Sequence, residues 1–377
     1  MKKAIVIPDS FKGTLRSEEI CDILRDVIHT HAPACEVVSV PVADGGEGSV
    51  DCFLTALGGE KVTCRVTGPY FEPMEAFYGL LDSGKTAVIE MAACAGLPLV
   101  EERKNPEQTT TYGVGELILD AAKRGCKKII IGLGGSCTND AGTGAAAAVG
   151  VRFFRTDGST FVPVGGTLGE VARIDCSGRA KELDGIEFVT MCDIDNPFYG
   201  KTGAAYIFGP QKGADPAMVE RLDQNLRAFC ERIRFDLGLD LSTIPGGGAA
   251  GAMGAGTIAF FGSRLQMGIE TVLDTVGFDD LLDGTDVVFT GEGKMDSQRL
   301  RGTVVIGVAR RAKKKNVPVV VIAGGLDDGA EACYEEGVTA AFAINRLPQD
   351  FSVSRLYSRE NFRFAADNIV RLWEAKR

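Results

Sequence analysis

The sequence predicts an α/β protein with two domains, one built on a doubly wound parallel sheet and the other a mixed α/β insertion. Three observations support this prediction. The chain has 377 residues, which suggests two domains at a usual size of ~150 residues each. At both chain ends, apolar β-rich segments alternate with helical segments, a pattern typical of a parallel sheet. In the middle, strands follow one another after short turns, which favours antiparallel pairing.

The parallel-sheet domain is predicted from the two ends of the chain. Ala4–Pro8 is an apolar strand, and Ser17–Thr30 is an amphipathic helix that begins with a Ser cap and acidic residues. The remaining elements are four strands and one helix: Val37–Val42, Val287–Thr290, Val319–Ala323 and Ala340–Ile344, and the helix Val304–Lys315. We expect them to form one discontinuous domain of residues 1–60 and 275–377.

The insertion is predicted to span residues 61–274. Its first three strands are separated by turns and are expected to pair antiparallel: Val62–Val66, Ala76–Leu81 and Ala87–Met91. A strand–loop–helix segment follows at Lys128–Ala148, whose strand Lys128–Ile131 could belong to either sheet, and Phe188–Cys192 is a further strand. Because ligands of such folds bind beyond the carboxyl ends of strands, we expect the active site in the cleft between the domains.

Composition excludes several classes of function. The net charge of −10, from 41 Lys and Arg against 51 Asp and Glu, does not favour nucleic-acid binding. No apolar run reaches the ~18 residues of a membrane span. The eleven cysteines are scattered without a CxxC pair, which indicates free thiols and a cytoplasmic location. With His29 and His31 as the two histidines, a zinc hydrolase or Ser-His-Asp hydrolase is not expected.

Two loops follow the first two predicted strands. Residues 8–14 contain Ser10 and Lys12, and a lysine there is suited to a carboxylate or a phosphate. Residues 43–48 contain Asp44 and Glu47 among glycines, where acids could hold Mg²⁺ through water or position a hydroxyl. Each loop could instead be a turn with solvated side chains.

Two glycine-rich segments could bind a nucleotide. Residues 132–140 follow an apolar strand and lead into a predicted helix at Ala141–Val149, the arrangement that binds anions with backbone N–H groups. The alternative is a packing turn in which Thr138 or Asp140 caps the helix. Residues 246–251 match GxGxxG but follow Pro245 and no clear strand, so they are a phosphate loop or a packing loop. No GxxxxGK[ST] motif occurs, which excludes a P-loop kinase.

Two further segments concentrate acidic side chains. Asp193 and Asp195 follow the strand Phe188–Cys192 and would share one face if that strand continued, as suits a metal clamp or a base beside a metal ligand. They could also be exposed acids of a turn. Directly after Val287–Thr290, alternate positions carry polar side chains that we expect to be functional: Glu292, Lys294, Asp296 and Gln298.

Taken together, these segments resemble the bacterial type 1 glycerate kinases through nearly the whole chain. Seven motifs carry the resemblance: residues 8–14 (PDSFKGT), 43–48 (ADGGEG), 109–115 (TTTYGVG), 132–140 with Gly142, 209–213 (GPQKG), 246–251, and 290–293 (TGEG) with Asp296 and Gln298. The resemblance implies two α/β domains, one of them Rossmann-like, and the transfer of a phosphoryl group from ATP, with Mg²⁺, to D-glycerate. It favours 2-phosphoglycerate as the product.

Under that hypothesis, each candidate residue has a role. Asp193, Asp195, Lys12 and Asp296 are catalytic, with the two aspartates also holding Mg²⁺, although which of them is the base stays open. The substrate would contact five side chains: Ser10, Asp44, Glu292, Lys294 and Gln298. The nucleotide would lie on seven residues: Gly134, Gly135, Ser136, Thr138, Gly246, Gly247 and Gly248.

One position departs from the family pattern. Similar proteins tend to have Lys where this chain has Thr303, which would matter if that lysine bound phosphate; Arg299 or Arg301 could compensate. Two rival functions also remain open. The GxGxxG match allows a nicotinamide-dependent hydroxy-acid dehydrogenase, and a non-catalytic sensor of organic acids is the second, although acid-rich loops argue against an anion sensor.

Overall fold

The computed structural model describes residues 1–43, 46, 48–295 and 303–375. Its strands are β1 (Lys3–Val6), β2 (Glu36–Ser39), β3 (Glu60–Thr67), β4 (Pro73–Leu81), β5 (Thr86–Glu90), β6 (Lys128–Gly132), β7 (Arg152–Phe154), β8 (Thr160–Phe161), β9 (Arg173–Asp175), β10 (Glu187–Met191), β11 (Arg264–Gln266), β12 (Val287–Thr290), β13 (Val319–Ala323) and β14 (Ala340–Ala343).

The α-helices are α1 (Ser17–His31), α2 (Ser49–Leu57), α3 (Ala92–Ala95), α4 (Tyr112–Lys123), α5 (Thr143–Ala148), α6 (Ala204–Phe208), α7 (Pro216–Leu237), α8 (Ala249–Phe261), α9 (Gly268–Thr275), α10 (Phe278–Leu281), α11 (Val304–Lys314), α12 (Phe351–Ser354) and α13 (Ser358–Glu374). Within the described ranges, no helix has both the length and the apolar character needed to cross a bilayer.

The chain divides into two compact units. Unit 1 comprises residues 1–43, 55–57 and 268–377, and unit 2 comprises residues 44–54 and 58–267. Each has its own hydrophobic core of buried aliphatic and aromatic side chains. The predicted α/β class is confirmed. The domain limits of 61 and 274, and the placement of the active site in a cleft, stay predictions.

The sheet of unit 1 is entirely parallel, in the order β14-β13-β12-β1-β2. Apart from Lys3 and Thr290, the residues of β1, β12 and β13 are apolar, and all except Lys3 are buried, as expected for strands covered on both faces. From β1 the chain moves to β2 on one side, and from β12 it moves to β13 on the other. The order therefore reverses between β1 and β12, and the carboxyl ends of strands at such a point are where ligands of doubly wound sheets bind.

The sheet of unit 2 is mixed, in the order β11-β10-β6-β5-β4-β3. β3, β4 and β5 pair antiparallel, as the turn spacing predicts, whereas β5, β6, β10 and β11 are parallel. The strand at residues 128–132 thus belongs to this sheet, which resolves the alternative left open by the sequence. Because β6 and β10 are parallel neighbours, the loops that follow them leave the same edge of the sheet. A small antiparallel sheet, β8-β7-β9, completes the unit.

Local signals explain where several helices begin and end. α7 begins after Asp215, whose side chain accepts the N–H of Met218, and ends at Gly238 in the left-handed conformation. Thr303 has the same role for α11, since its hydroxyl accepts the N–H of Ile306. The residue that departs from the family pattern is therefore a helix cap, a role for which Thr is better suited than Lys.

Candidate functional site

A cavity of about 410 Å³ lies within unit 2. Four chain segments form most of its wall: the loop after β6, the loop after β10, the turn after α6 and the start of α8. The residues that matter for its chemistry are Gly134, Gly135, Ser136, Asp193, Gln211 and Lys212. The cavity thus combines a glycine-rich loop, one carboxylate and one lysine, which is a suitable set for a phosphorylated ligand and its cation.

The loop after β6 presents backbone donors to this cavity. Gly135 has a left-handed φ of 71°, and its carbonyl accepts the N–H of Leu97 at 2.8 Å, which ties the loop to its neighbour in the fold. The backbone N–H groups of Gly134 and Gly135 meet no acceptor among the described residues. N–H groups left in this way at the end of a strand bind anions, which supports the predicted nucleotide role of both glycines and of Ser136.

Lys212 is the residue that sequence reasoning missed. Its side chain is only 2% exposed, and its ammonium donates to Oγ of Ser136 at 2.9 Å and to the carbonyl of Thr138 at 2.6 Å. Burial lowers the pKa of Lys212 to about 8. The signal for it in the sequence is the GPQKG motif at residues 209–213, which contains Lys212.

Asp140 lies near the end of the same loop, and its carboxylate fixes the backbone around it. It is completely buried, and Oδ2 accepts the N–H and the hydroxyl of Thr111 at 2.8 Å each and the N–H of Gly144 at 3.2 Å. Oδ1 accepts the N–H of Gly142, also at 3.2 Å. The N-cap of α5 is Gly142, so neither Asp140 nor Thr138 is the capping residue, although Asp140 satisfies the N–H groups of Gly142 and Gly144 at the start of the helix. Desolvation raises its pKa, opposed by the bonds from Thr111.

Thr138 is not one of the residues that line the cavity. It is fully buried, and its hydroxyl meets no hydrogen-bond partner among the described residues. Its contribution to the site is the carbonyl that accepts from Lys212. The predicted contact of Thr138 with a nucleotide stays a prediction.

The glycine-rich segment at residues 246–251 is built for close packing. A Cβ on Gly248 would lie 2.2 Å from the carbonyl oxygen of Pro197, and one on Gly251 would lie 2.1 Å from that of Thr138. Between α7 and α8 the described chain has no strand, so the strand–loop–helix context of a dinucleotide fingerprint is missing. The cavity wall here is formed by Ala249 and Ala250, and nucleotide binding by Gly246, Gly247 and Gly248 stays a prediction.

The start of α8 carries backbone strain beside the cavity. Ala250, Gly251 and Ala252 have left-handed φ values of 53°, 67° and 67°. For an alanine this conformation costs about 1–2 kcal/mol. Strained non-glycine residues concentrate at functional sites, and the N–H of Ala141, itself at a φ of 51°, donates to the carbonyl of Gly251. This hydrogen bond joins the two glycine-rich segments, and residues on both sides of it have strained backbone conformations.

The two aspartates after β10 differ in position. The strand ends at Met191, so the alternation that would have put both side chains on one face does not continue. Both are exposed, but the cavity wall includes Asp193 and not Asp195. Within residues 1–43, 46, 48–295 and 303–375, no cluster of three His, Cys, Asp or Glu side chains is arranged to hold a metal ion.

In unit 1, the loops after the neighbouring strands β1 and β12 lie side by side. The N–H of Asp9 donates to the carbonyl of Gly291 at 2.8 Å. A Cβ on Gly293 would lie 3.4 Å from Cα of Phe11 and 3.5 Å from the backbone nitrogen of Lys12. The structure thus brings together two loops that the sequence separates by about 280 residues, because their strands are adjacent in the sheet.

Three predicted substrate residues, Ser10, Glu292 and Lys294, belong to this pair of loops, together with the predicted catalytic residue Lys12. Lys12 is exposed and Ser10 is half-buried, with the backbone N–H of Ser10 donating to Asp9. Glu292 is 9% exposed, and Lys294 forms an ion pair with Asp327 at 2.8 Å. Three other predicted residues, Asp44, Asp296 and Gln298, lie outside the described residues, as do Arg299 and Arg301.

Parallel strands, a glycine-rich loop and a buried lysine are a combination typical of α/β enzymes that act on phosphorylated ligands. Comparison with known proteins then identifies the family. The sequence profile of the glycerate kinase family matches residues 4–374. The glycerate kinase of Bacillus cereus is 42% identical over 373 residues, which are 99% of this chain and 98% of that protein.

A further relative and a solved structure point to the same family. The glycerate 2-kinase of Escherichia coli K12 is 42% identical over 370 residues, covering 98% of this chain and 95% of that protein. A crystal structure of a Salmonella typhimurium LT2 protein described as a glycerate kinase 2 superposes with a TM-score of 0.88 at 40% identity, over 100% of this chain and 99% of that one. The chain belongs to the glycerate kinase family.

Proposed function

We propose that this protein transfers the γ-phosphoryl group of ATP to the 2-hydroxyl of D-glycerate, giving 2-phosphoglycerate and ADP. The observation that carries the proposal is the cavity of unit 2, whose wall includes Gly134, Gly135, Ser136, Asp193 and Lys212. The N–H groups, the hydroxyl and the ammonium of these residues can donate hydrogen bonds to an anion, and the carboxylate can bind a cation. Relatives of this chain are named glycerate kinases.

The nucleotide phosphates would bind the donors of the loop after β6. In phosphoryl transfer the protein chiefly positions the reactants and neutralises charge, so these donors stabilise the charge that grows on the leaving ADP. The bond from the γ-phosphorus to the bridging oxygen of ADP breaks as the bond to the glycerate hydroxyl oxygen forms. The hydroxyl proton passes to a carboxylate of the protein.

Mg²⁺ would bind at Asp193. Mg²⁺ sites in kinases commonly use one or two carboxylates together with substrate phosphates and water, so a single carboxylate on the cavity wall fits this ion although no three-ligand cluster is found in the described residues. The ion would neutralise phosphate charge when bound. One carboxylate cannot easily hold the ion and accept the proton, so we propose Asp195, two residues further along the same loop and outside the cavity wall, as the base.

The loops of unit 1 would bind the acid substrate. Lys12 and Lys294 supply positive charge for the glycerate carboxylate and the transferred phosphoryl group. Ser10 and Glu292 supply a hydroxyl and a carboxylate suited to the hydroxyl groups of glycerate. Asp44 and Gln298 complete the proposed substrate set, and Asp296 keeps its proposed catalytic role. The proposed location of the protein is the cytoplasm. ATP and a small organic acid are the reactants, and the eleven cysteines are free thiols, as is usual in a reducing compartment.

An ADP-release assay tests this function directly. Turnover is expected with D-glycerate, ATP and Mg²⁺, and much less with L-glycerate, lactate or glycolate. Phosphorus NMR of the product distinguishes phosphorylation at the 2-hydroxyl from phosphorylation at the 3-hydroxyl. Absence of ADP release with D-glycerate would refute the proposal, and a 3-phosphoglycerate product would correct its regiochemistry.

A further inference from the structure

Lys212 carries a buried charge that the chain does not balance. Among the described residues, no carboxylate lies within ion-pair distance of its ammonium, whose two acceptors, Ser136 and Thr138, are neutral. Asp140 is the nearby buried carboxylate that acts on it electrostatically, and both of its oxygens already accept N–H or O–H groups. A buried ammonium without a counter-ion is costly, so this position favours an anion from outside the chain.

One N–H group of the Lys212 ammonium also has no acceptor among the described residues. A protonated lysine has three N–H groups, and the described residues accept two of them. Lys212 lies on the cavity wall with Gly134 and Gly135, whose N–H groups also meet no acceptor in the described chain. Three unsatisfied donor positions around one cavity match the oxygens of a phosphate chain and exceed what a single carboxylate needs.

We propose that Lys212 is a catalytic residue that binds the terminal phosphates of the nucleotide, with Ser136 and the carbonyl of Thr138 holding its ammonium toward the cavity. This inference rests on the proposed function and names the group that recognises the phosphoryl donor. Ser136 is then a positioning residue, since it acts through the lysine. Lys212 can do this only while it is protonated.

Nucleotide binding without any acid substrate tests the inference. The probe is a fluorescent N-methylanthraniloyl ADP with Mg²⁺, displaced by ATP, ADP or AMP. Lys212→Met removes the charge while keeping a similar length. It is expected to weaken ATP and ADP roughly 10- to 100-fold, the effect of one lost charge-assisted hydrogen bond, and AMP less than about 3-fold. The matched control is Lys181→Met, which removes the same charge from an exposed lysine and should leave all three affinities unchanged.

The pH profile provides a readout that a purely structural role would not change. For the wild type, ADP affinity should fall by up to tenfold per pH unit once the pH exceeds about 8 and should level off at the roughly 10- to 100-fold loss expected of Lys212→Met, in which this pH dependence should vanish. The other titratable groups near the ammonium are Cys137 and Asp140 behind it and Cys192 and Asp193 on the cavity wall. Burial raises the pKa of both thiols, to about 12 for Cys137, so they stay neutral over this range.

The outcomes separate the possibilities. Selective loss of ATP and ADP affinity, with loss of the pH slope, supports the inference. Affinities within twofold of wild type overturn it, as does an equal loss for AMP accompanied by a lower melting temperature. Lys212 would then have only a structural role, linking two loops through its hydrogen bonds. If Lys212→Met does not fold, Ser136→Ala and the wild-type pH profile decide instead: a flat profile together with unchanged affinity in Ser136→Ala overturns the inference. A wild type that binds ADP but does not phosphorylate glycerate refutes only the proposed function.

Discussion

The pH dependence of stability offers a quantitative test of how Lys212 is buried. Its pKa is about 8 in the folded protein, below the ordinary value of 10.5, because of desolvation. The unfolded chain therefore holds the proton more tightly. At pH 7 the buried charge destabilises the folded state, and this destabilisation diminishes as the pH rises from about 8 toward 10.5. Linkage over these two pKa values gives a gain of about 2 kcal/mol in the free energy of unfolding between pH 7 and 9.5.

The variant Lys212→Met isolates this contribution. Because methionine does not titrate, the wild-type free energy of unfolding minus that of the variant should rise by about 2 kcal/mol over the same pH range. Urea denaturation followed by circular dichroism at pH 7, 8, 9 and 9.5 measures it. Lys181→Met loses an exposed lysine, and its difference from wild type should be nearly flat. A flat difference for Lys212→Met as well would show that its ammonium is not desolvated, and the argument for an unbalanced buried charge would fail.

Three other predictions concern the acids and the exposed lysine of the site. Asp193→Asn should raise the Mg²⁺ needed for half-maximal activity, whereas Asp195→Asn should lower kcat by ~10²–10⁴ at saturating Mg²⁺; near wild-type kinetics in both would make this loop a simple turn. Lys12→Ala should lose turnover with little change in melting temperature, because the side chain is exposed; equal kcat and KM would remove it from the site. Asp140→Asn should destabilise the fold by about 2 kcal/mol, since either amide orientation sets its NH₂ group against an N–H donor. The exposed Asp157→Asn is its control in denaturant melts, and equal stability of the two variants would contradict the buried network.

The sequence alone was sufficient for most of the fold. Val287–Thr290 and Val319–Ala323 form strands with the predicted limits, and helix α11 ends one residue earlier than predicted. These elements are predictable because periodicity, β-branched residues and caps act over a few residues. The same local logic located the glycine loop of Gly134 and Gly135, since a strand, a run of small residues and a helix are adjacent in sequence.

Tertiary structure decided the properties that depend on neighbours distant in sequence. Lys212 lies 76 residues from the hydroxyl of Ser136, on a short turn without periodicity, and its burial and lowered pKa arise only when the two segments pack together. Likewise, Asp193 and Asp195 look equivalent in sequence. The end of β10 at Met191 breaks their alternation and puts only Asp193 on the cavity wall. Residue types and local periodicity specify strands and loops, whereas burial, charge balance and side-chain direction depend on which loops the sheet order brings to one edge.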